Sequence, residues 1–240
     1  MQTAEQLLLN LRPRLDARLS DFDAPCYAGV LAAAAQWLDA PGSLLYLYGE
    51  PGHGRSHLLA ALCAEAESRG LSAVLLPLSE LCRDEPAMLS GLEGQDLIAC
   101  DDIEAIAGNA AWEEALFHLF NRARMNGCRQ VFSAEHMPAR CGIQLPDLVS
   151  RLAQAPAWAL DLPDDASRLA LVEASAQRRG LLMEPEVLRY LVLRAPREPG
   201  RLLALLEHLD RGSLIAGRRL TIPFIRQTLE MDGSAYQAGR

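Results

Sequence analysis

The chain has 240 residues, half of them apolar and 22% charged, which suits a globular protein with one large domain or a medium and a small one. All 23 basic residues are arginine, and the formal net charge of −8 argues against a surface that attracts nucleic acid as a whole. The six cysteines form no C-x-x-C pair, which disfavours a metal site or a disulfide framework, and no apolar run approaches the roughly 20 residues of a membrane span.

The first 18 residues contain a glutamine followed by spaced leucines, from Gln6 to Leu11. One interpretation is a short amphipathic helix or a terminal arm without fixed structure. The alternative is a linear docking peptide, because the segment resembles the Q-L-x-L-x-L motif by which bacterial replication proteins bind the sliding clamp. A terminal arm can dock in a groove without unfolding its own domain.

A phosphate-binding loop is predicted at Gly49–Ser56. It follows the apolar run Leu44–Tyr48 and opens an amphipathic segment, so the pattern G-x-x-x-x-G-[basic]-S lies between a strand and a helix. Glycines let the backbone N–H groups wrap closely around phosphates at a helix N-terminus, and Ser56 stands where a hydroxyl would coordinate Mg²⁺. The basic residue is Arg55, where this pattern usually has lysine.

The second half of a nucleotide site is predicted after a later strand. Ser72–Leu78 is typical of a buried strand, and Asp96–Asp102 is an apolar strand that ends in two acids. Downstream of a phosphate loop, Asp101 is expected to hold the Mg²⁺ shell and Asp102 to orient the attacking water. The alternative is a core strand that ends in solvated acids.

Further strands and helices complete the alternating pattern. Apolar residues recur at helical spacing from Trp112 to Ala123, which predicts a core helix in which His118 needs no catalytic role. Arg129–Ser133 is the next predicted strand; Ser133 and Glu135 at its end are either a γ-phosphate sensor or a plain turn. A proline-started helix at Leu145–Leu152 carries one arginine, and Trp158–Leu162 is the fifth predicted strand.

From Pro163 onward only helical patterns remain, which predicts a small all-helical domain after an α/β domain. The predicted helices are Asp164–Arg179, Pro185–Arg194, Glu198–Gly212 and Ile222–Met231. The predicted organisation is an arm at residues 1–18, an α/β domain at 19–162, a helical lid at 163–231 and a flexible tail at 232–240.

This order of motifs resembles the AAA+ nucleotide-binding class over nearly the whole chain. Within that class the chain is similar to the nucleotide-binding domains of the replication initiator DnaA, and closer still to the Hda family of regulatory inactivators of DnaA. The closer resemblance is carried by Gly54–Leu59, Asp102–Gly108, Leu145–Leu152, Leu220–Phe224 and the arginine of the phosphate loop. It implies an AAA+ fold with a five-stranded parallel sheet flanked by helices, followed by the lid.

The resemblance also implies residue roles. Arg151 matches an arginine finger that acts in trans on ATP bound to DnaA, and Arg201 matches the second sensor arginine of the lid. The implied nucleotide-binding residues are Gly49, Gly52, His53, Gly54, Arg55, Ser56, His57, Asp101, Asp102, Arg201, Leu19 and Phe22, with Mg held by Ser56 and Asp101 through the nucleotide. The implied clamp-binding residues are Gln6, Leu7, Leu9 and Leu11.

The function implied is negative regulation of replication initiation. An Hda-type protein binds ADP or another nucleoside diphosphate with Mg, docks on the DNA polymerase III sliding clamp, and promotes hydrolysis of the ATP held by DnaA. The expected location is the cytoplasm, at the nucleoid or replisome, without membrane association or direct sequence-specific DNA binding; a homodimer is compatible with the resemblance. Because the chemistry implied would occur in the partner's site, whether this chain is itself an enzyme stays open, and the resemblance favours a regulator that is not an enzyme.

Two departures and two rival functions remain at this stage. Asn10 stands where the clamp motif often has proline, and Glu135–Pro138 differs from the family's usual Asp-Arg-Pro-Pro after the predicted sensor strand. One rival is an autonomous AAA+ ATPase, a replication-associated loader or motor in which Asp101 and Asp102 run turnover. The other is an adaptor that needs no nucleotide.

Overall fold

The computed structural model describes residues 17–22 and 24–236, and the side chains as far as residue 229. The clamp-motif residues Gln6, Leu7, Leu9 and Leu11 lie outside the described residues. The described chain divides into two compact units, of which the first contains residues 17–22 and 27–161, and the second residues 24–26 and 162–236. Among the described residues, no helix is both long enough and apolar enough to cross a membrane.

Five parallel strands form the sheet of the first unit, in the order β2-β3-β4-β1-β5. Four of them are nearly continuous apolar runs, as expected for a parallel sheet that is covered on both faces, whereas the fourth strand along the chain also carries Arg129, Gln130 and Ser133. The strands are β1 (Leu44–Tyr48), β2 (Ala73–Pro77), β3 (Leu97–Asp101), β4 (Arg129–Ala134) and β5 (Ala157–Ala159). Because all five run the same way, the loops after β1, β3 and β4 leave from one edge of the sheet.

Helices flank this sheet, as predicted for an AAA+ domain. They are α1 (Ala28–Asp39), α2 (Arg55–Ser68), the one-turn α3 (Leu78–Leu81), α4 (Ala110–Met125) and α5 (Pro146–Leu152). Short 3₁₀ turns connect them at Leu19–Phe22, Pro25–Tyr27, Pro86–Leu89, Leu92–Gly94, Ile103–Ile106 and Pro138–Arg140. The predicted second strand ends one residue earlier than expected, because Leu78 begins α3.

Part of the core of the first unit lies between the sheet and α4. Trp112, Phe120 and Phe132 are fully buried, and the rings of Phe120 and Phe132 stack with centroids 5.8 Å apart. The helical stripe predicted from Trp112 to Ala123 is therefore core packing. His118 on the same helix is more than half exposed, and its Nε2 lies 3.7 Å from Oε1 of Glu114.

Four helices make up the second unit, which confirms the predicted all-helical region after the α/β domain. They are α6 (Asp165–Arg178), α7 (Pro185–Arg194), α8 (Pro199–Ala216) and α9 (Ile222–Tyr236). Their apolar faces meet in a core that includes Leu171, Leu191, Leu202 and Leu206. Helix α8 continues past the predicted end at Gly212 and stops at Gly217, whose φ of 60° is the left-handed conformation of a helix C-cap.

Candidate functional site

The phosphate loop has a backbone that glycine alone accommodates. Gly52 and Gly54 have φ angles of 87° and 93°, in the left-handed region that side chains disfavour. Gly49 has no such angle, but a Cβ there would collide with the carbonyl oxygen of Leu160. The loop therefore has room for a close approach of a ligand to its backbone N–H groups at the start of α2.

Neighbouring strands hold this loop on both sides. The N–H of Gly49 donates to the carbonyl of Ala134, at the end of β4, over 3.2 Å. On the other side, Nδ1 of His53 lies 2.6 Å from the carbonyl oxygen of Leu160, just after β5. A carbonyl only accepts, so Nδ1 carries the proton and donates. His53 thus fixes the loop to the sheet.

The basic residue of the loop faces two carboxylates. The Arg55 side chain is only 7% exposed; its Nη2 lies 3.2 Å from Oδ1 of Asp102, and its Nη1 lies 3.2 Å from Oε1 of Glu104. The planar guanidinium can engage two oxygens at once, which the ammonium of a lysine does less well. The cation at the usual lysine position is thereby paired inside its own site.

The acids at the end of β3 are held by hydroxyl groups from neighbouring elements. Ser133, on β4, donates to Oδ1 of Asp101, while its own oxygen accepts the N–H of Asp102 over 3.1 Å. Burial raises the pKa of Asp101, and hydrogen bonds from Ser133 and Ser56 oppose that rise. Asp102 has a φ of 57°, and its Oδ2 accepts the hydroxyl of Ser79 over 3.2 Å. Ser133 therefore contacts both acids of the predicted site.

The donor set at this edge fits a magnesium ion. Ser56 at the start of α2 supplies an exposed hydroxyl that contacts the buried carboxylate of Asp101. Hydroxyl and carboxylate oxygens are the hard ligands that Mg²⁺ takes together with phosphate oxygens. Ser56 and Asp101 would hold the ion, which would neutralise phosphate charge when nucleotide is bound.

Two residues of the site were missed by sequence reasoning about the motifs. Glu104 accepts hydrogen bonds from Arg55 and from the backbone N–H of Glu135 (3.1 Å). Ser79 lies on α3, which no periodicity predicted. Only the run Asp102–Gly108, which carries part of the family resemblance, contained a signal for Glu104. Its contact with the N–H of Glu135 links the turn after β3 to the end of β4.

A second group of predicted residues lies beside the start of α2. His57 places its Nε2 3.1 Å from Oδ2 of Asp21, and the ring of Phe22 lies 5.4 Å from the His57 ring. Phe22 is fully buried and makes an edge contact with Tyr27, with centroids 5.1 Å apart. Leu19 begins the same 3₁₀ turn and is half-buried. The structure thus places Leu19 and Phe22 on one short turn, with Phe22 next to the phosphate-loop helix.

The two remaining arginines lie on different elements. Arg151 is half-buried on α5, and its guanidinium makes no hydrogen bond or salt bridge with any side chain in the described part of the chain. Arg201 lies near the start of α8 in the second unit, half exposed, with Nη1 3.4 Å from Oε1 of Glu198. Arg55 and Arg151 therefore differ sharply, since the first is buried and paired with two acids.

Comparison with known proteins identifies the second unit. Residues 165–229 match the family model described as Hda, lid domain. This match covers α6 to α8 and most of α9. The second unit of this chain is therefore Hda-like.

Solved structures of DnaA have the same fold. Domain III of the replication initiation protein DnaA from Thermotoga maritima superposes with a TM-score of 0.77 at 20% identity, over 91% of this chain and 97% of that one. AMPPCP-bound DnaA from Aquifex aeolicus gives 0.65 at 20% identity, over 78% of this chain and 62% of that one. The RuvB Holliday junction branch migration motor of Thermotoga maritima gives 0.66 at 18% identity, over 92% and 72%. The AAA+ fold is shared by all three, and the lid match is what distinguishes the Hda-like chain.

Proposed function

We propose that this Hda-like protein is a negative regulator of replication initiation. It holds ADP and Mg in its own phosphate site, contacts ATP-bound DnaA, and promotes hydrolysis of the ATP that DnaA holds. The observation that carries the proposal is Arg151, a guanidinium on α5 without a side-chain partner in the described part of the chain. The Hda lid match supports it, and so does the nucleotide analogue AMPPCP bound to the DnaA of Aquifex aeolicus.

In this proposal Arg151 acts on the nucleotide of the partner. A planar cation placed against the γ-phosphate stabilises the charge that spreads over the transferred group, which is worth roughly 10³–10⁵ in rate where arginine fingers have been measured. A guanidinium already engaged by carboxylates could not do this without breaking those contacts. Arg151 has no such contacts to break, because no carboxylate in the described part of the chain pairs with it.

The chain's own site serves as a holding site for a diphosphate. The N–H groups of Gly49–Ser56 would bind the phosphates, and Ser56 and Asp101 would hold Mg. Asp102 is tied to Arg55 (3.2 Å) and Ser79 (3.2 Å), so it is restrained from orienting water. A restrained water-orienting acid suits a site that keeps its nucleotide.

The segment Gln6–Leu11 would place the regulator on the DNA-loaded sliding clamp in the cytoplasm, at the nucleoid or replisome. With a net charge of −8, recruitment through the clamp also removes the need for direct sequence-specific binding to DNA. Replacing Leu9 and Leu11 by alanine should abolish the dependence of activity on the clamp.

The decisive experiment follows conversion of ATP to ADP on DnaA, with loaded clamp and this protein present. Arg151→Ala should lower the stimulation by about 10³-fold or more, and Arg151→Lys should recover little of it, because lysine lacks the planar fork. Arg189→Ala, which removes an exposed arginine of α7, is the matched control. Full stimulation by Arg151→Ala would rule out the finger.

One observation favours the rival of an autonomous AAA+ ATPase. The Asp102 side chain is 28% exposed, so water reaches it, and Asp101 beside it is in place to hold Mg. Turnover by the isolated protein that Asp102→Ala abolishes would establish this rival. The proposal instead expects little turnover in the isolated protein and none that depends on Asp102.

A further inference from the structure

Glu104 lies in the phosphate site and has no role in the function proposed above. Its Oε1 accepts hydrogen bonds from Nη1 of Arg55 (3.2 Å) and from the N–H of Glu135 (3.1 Å). Its Oε2 is buried and has no hydrogen-bond partner among the described residues. A buried carboxylate oxygen without a donor is unusual in a folded protein and calls for a functional explanation.

The position of Arg55 indicates where Glu104 lies relative to a bound nucleotide. The basic residue of a phosphate loop reaches the β- and γ-phosphates. Glu104 and Asp102 both lie 3.2 Å from the Arg55 guanidinium, so both carboxylates are at the terminal-phosphate end of the loop. One buried cation, Arg55, faces two carboxylates there, and a third acid, the buried Asp101, precedes Asp102 in the chain.

We infer that Glu104 makes this site selective for nucleoside diphosphates over triphosphates. The inference rests on the proposed function and names the residue that sets the ligand class. An ionised carboxylate only accepts hydrogen bonds, and so does a phosphate oxygen, so the two cannot bond to each other. At the partly buried Glu104, which is 27% exposed, their like charges also repel, and such repulsion is a common way to reject a competing ligand.

A diphosphate avoids this conflict because its charge ends at the β-phosphate. Arg55 can then remain bound to Glu104 while the loop N–H groups and Mg hold the two phosphates. A γ-phosphate would have to displace the carboxylate or accept its proximity.

The test compares affinities for ADP and for the non-hydrolysable triphosphate AMPPCP, each with Mg, by calorimetric titration of the full chain freed of nucleotide. Wild type should bind ADP more tightly. Glu104→Gln keeps an oxygen for Arg55 and Glu135 but replaces the repelling charge by an amide that can donate, so the ratio of affinities should shift toward AMPPCP by about tenfold. Glu67→Gln, an equal charge change at an exposed position of α2, should leave the ratio unchanged.

Two further variants make the outcome independent of one substitution. Glu104→Asp keeps the charge and should retain the preference for ADP, whereas Glu104→Ala removes the charge and should shift the ratio as Gln does. Thermal unfolding without nucleotide checks that each variant is folded, and either neutral variant decides the question. An unchanged ratio in the neutral variants, with wild type still binding ADP, overturns the role of Glu104 and leaves the proposed function standing. A wild type that binds no nucleotide overturns both.

Discussion

The carboxylate of Glu113 accepts a 2.7 Å hydrogen bond from the N–H of Leu145, the residue that precedes the helix carrying Arg151. The same carboxylate, only 1% exposed, also accepts the N–H groups of Gly108 (2.7 Å) and Gln144 (3.0 Å). One buried side chain on α4 therefore fixes the loop after β3 and the entrance to α5. Glu113 is thus a positioning residue for Arg151, through backbone contacts alone.

We expect Glu113→Ala to leave three backbone N–H groups without an acceptor, which should lower the free energy of unfolding by about 3 kcal/mol. Without these hydrogen bonds we also expect α5 to shift. A displacement of about 1 Å at a reacting group lowers a rate by roughly 10²-fold, so stimulation of ATP hydrolysis on DnaA should fall by that factor. Denaturant unfolding and the nucleotide-conversion assay measure the two effects separately.

Glu114→Ala is the matched control, because Glu114 is the next residue on α4 and is 72% exposed. It should change neither quantity. Arg151→Ala should lose stimulation without losing stability, which separates the proposed finger from the residue that positions it. A folded Glu113→Ala protein with full stimulation would contradict the positioning role.

Binding of ADP should stabilise the native protein, and the stabilisation should depend on Gly49. At a concentration 100 times the dissociation constant, a ligand selective for the folded state adds about 2.7 kcal/mol. Gly49→Ala places a methyl group against the carbonyl of Leu160 and should abolish this gain. Gly94→Ala, where nothing lies within 4 Å of the added carbon, should keep it. Thermal unfolding with and without ADP tests this, and absence of a gain in wild type would favour the adaptor that needs no nucleotide.

Sequence reasoning predicted the sheet and the phosphate loop because their signals are local. Continuous apolar runs such as Leu44–Tyr48 indicate buried parallel strands, and the glycines of Gly49–Ser56 mark a loop that needs positive φ angles. The parallel pairing of the neighbouring strands β3 and β4 then brings Asp101 and Ser133 together.

The pairing of Arg55 with Glu104 could not be predicted in the same way. These residues are 49 positions apart, and their contact depends on where the 3₁₀ turn after β3 lies relative to α2.

The predicted C-terminal end of α8 was wrong because it was placed at Gly212. Gly212 lies within the helix, where a Cβ would come 3.5 Å from the ring of Phe224. The helix ends five residues later, at Gly217. A glycine in the sequence does not reveal whether it stops a helix or makes room for a neighbour.

Arg168 should stabilise the lid by satisfying carbonyl groups at the end of α7. Its buried Nη2 donates to the carbonyls of Val192 (2.7 Å), Ala195 (3.0 Å) and Pro196 (3.1 Å), and its Nη1 lies 2.8 Å from Oδ1 of Asp165. The last carbonyls of a helix lack intrahelical donors, so a side chain that reaches them replaces the missing bonds. We expect Arg168→Ala to speed amide hydrogen exchange in α7 by about 10²-fold, which corresponds to about 3 kcal/mol.

Exchange in the sheet of the first unit should remain unchanged in Arg168→Ala, since this residue belongs to the core of the lid. Arg189→Ala on the exposed face of α7 serves as the control and should exchange like wild type. Equal protection of α7 in Arg168→Ala and Arg189→Ala would show that the buried guanidinium does not hold the end of this helix.

Asp96 should make the stability of the first unit sensitive to acid. Its Oδ2 accepts both the N–H and the hydroxyl of Ser72 (2.8 Å each), and Ser72 in turn accepts the N–H of Asp96 (2.9 Å), which joins the starts of β2 and β3. These hydrogen bonds favour the charged carboxylate and hold the pKa of Asp96 below its usual range. A depressed pKa contributes stability above the unfolded-state pKa, and that contribution is lost as the pH falls through the folded-state pKa.

Wild type should therefore be more stable than Asp96→Asn at neutral pH, and the difference in their free energies of unfolding should shrink as the pH falls from about 5 toward 2. Urea unfolding of both proteins across this range measures it, and a difference that stays constant with pH would mean that the charge of Asp96 does not stabilise the joined strands.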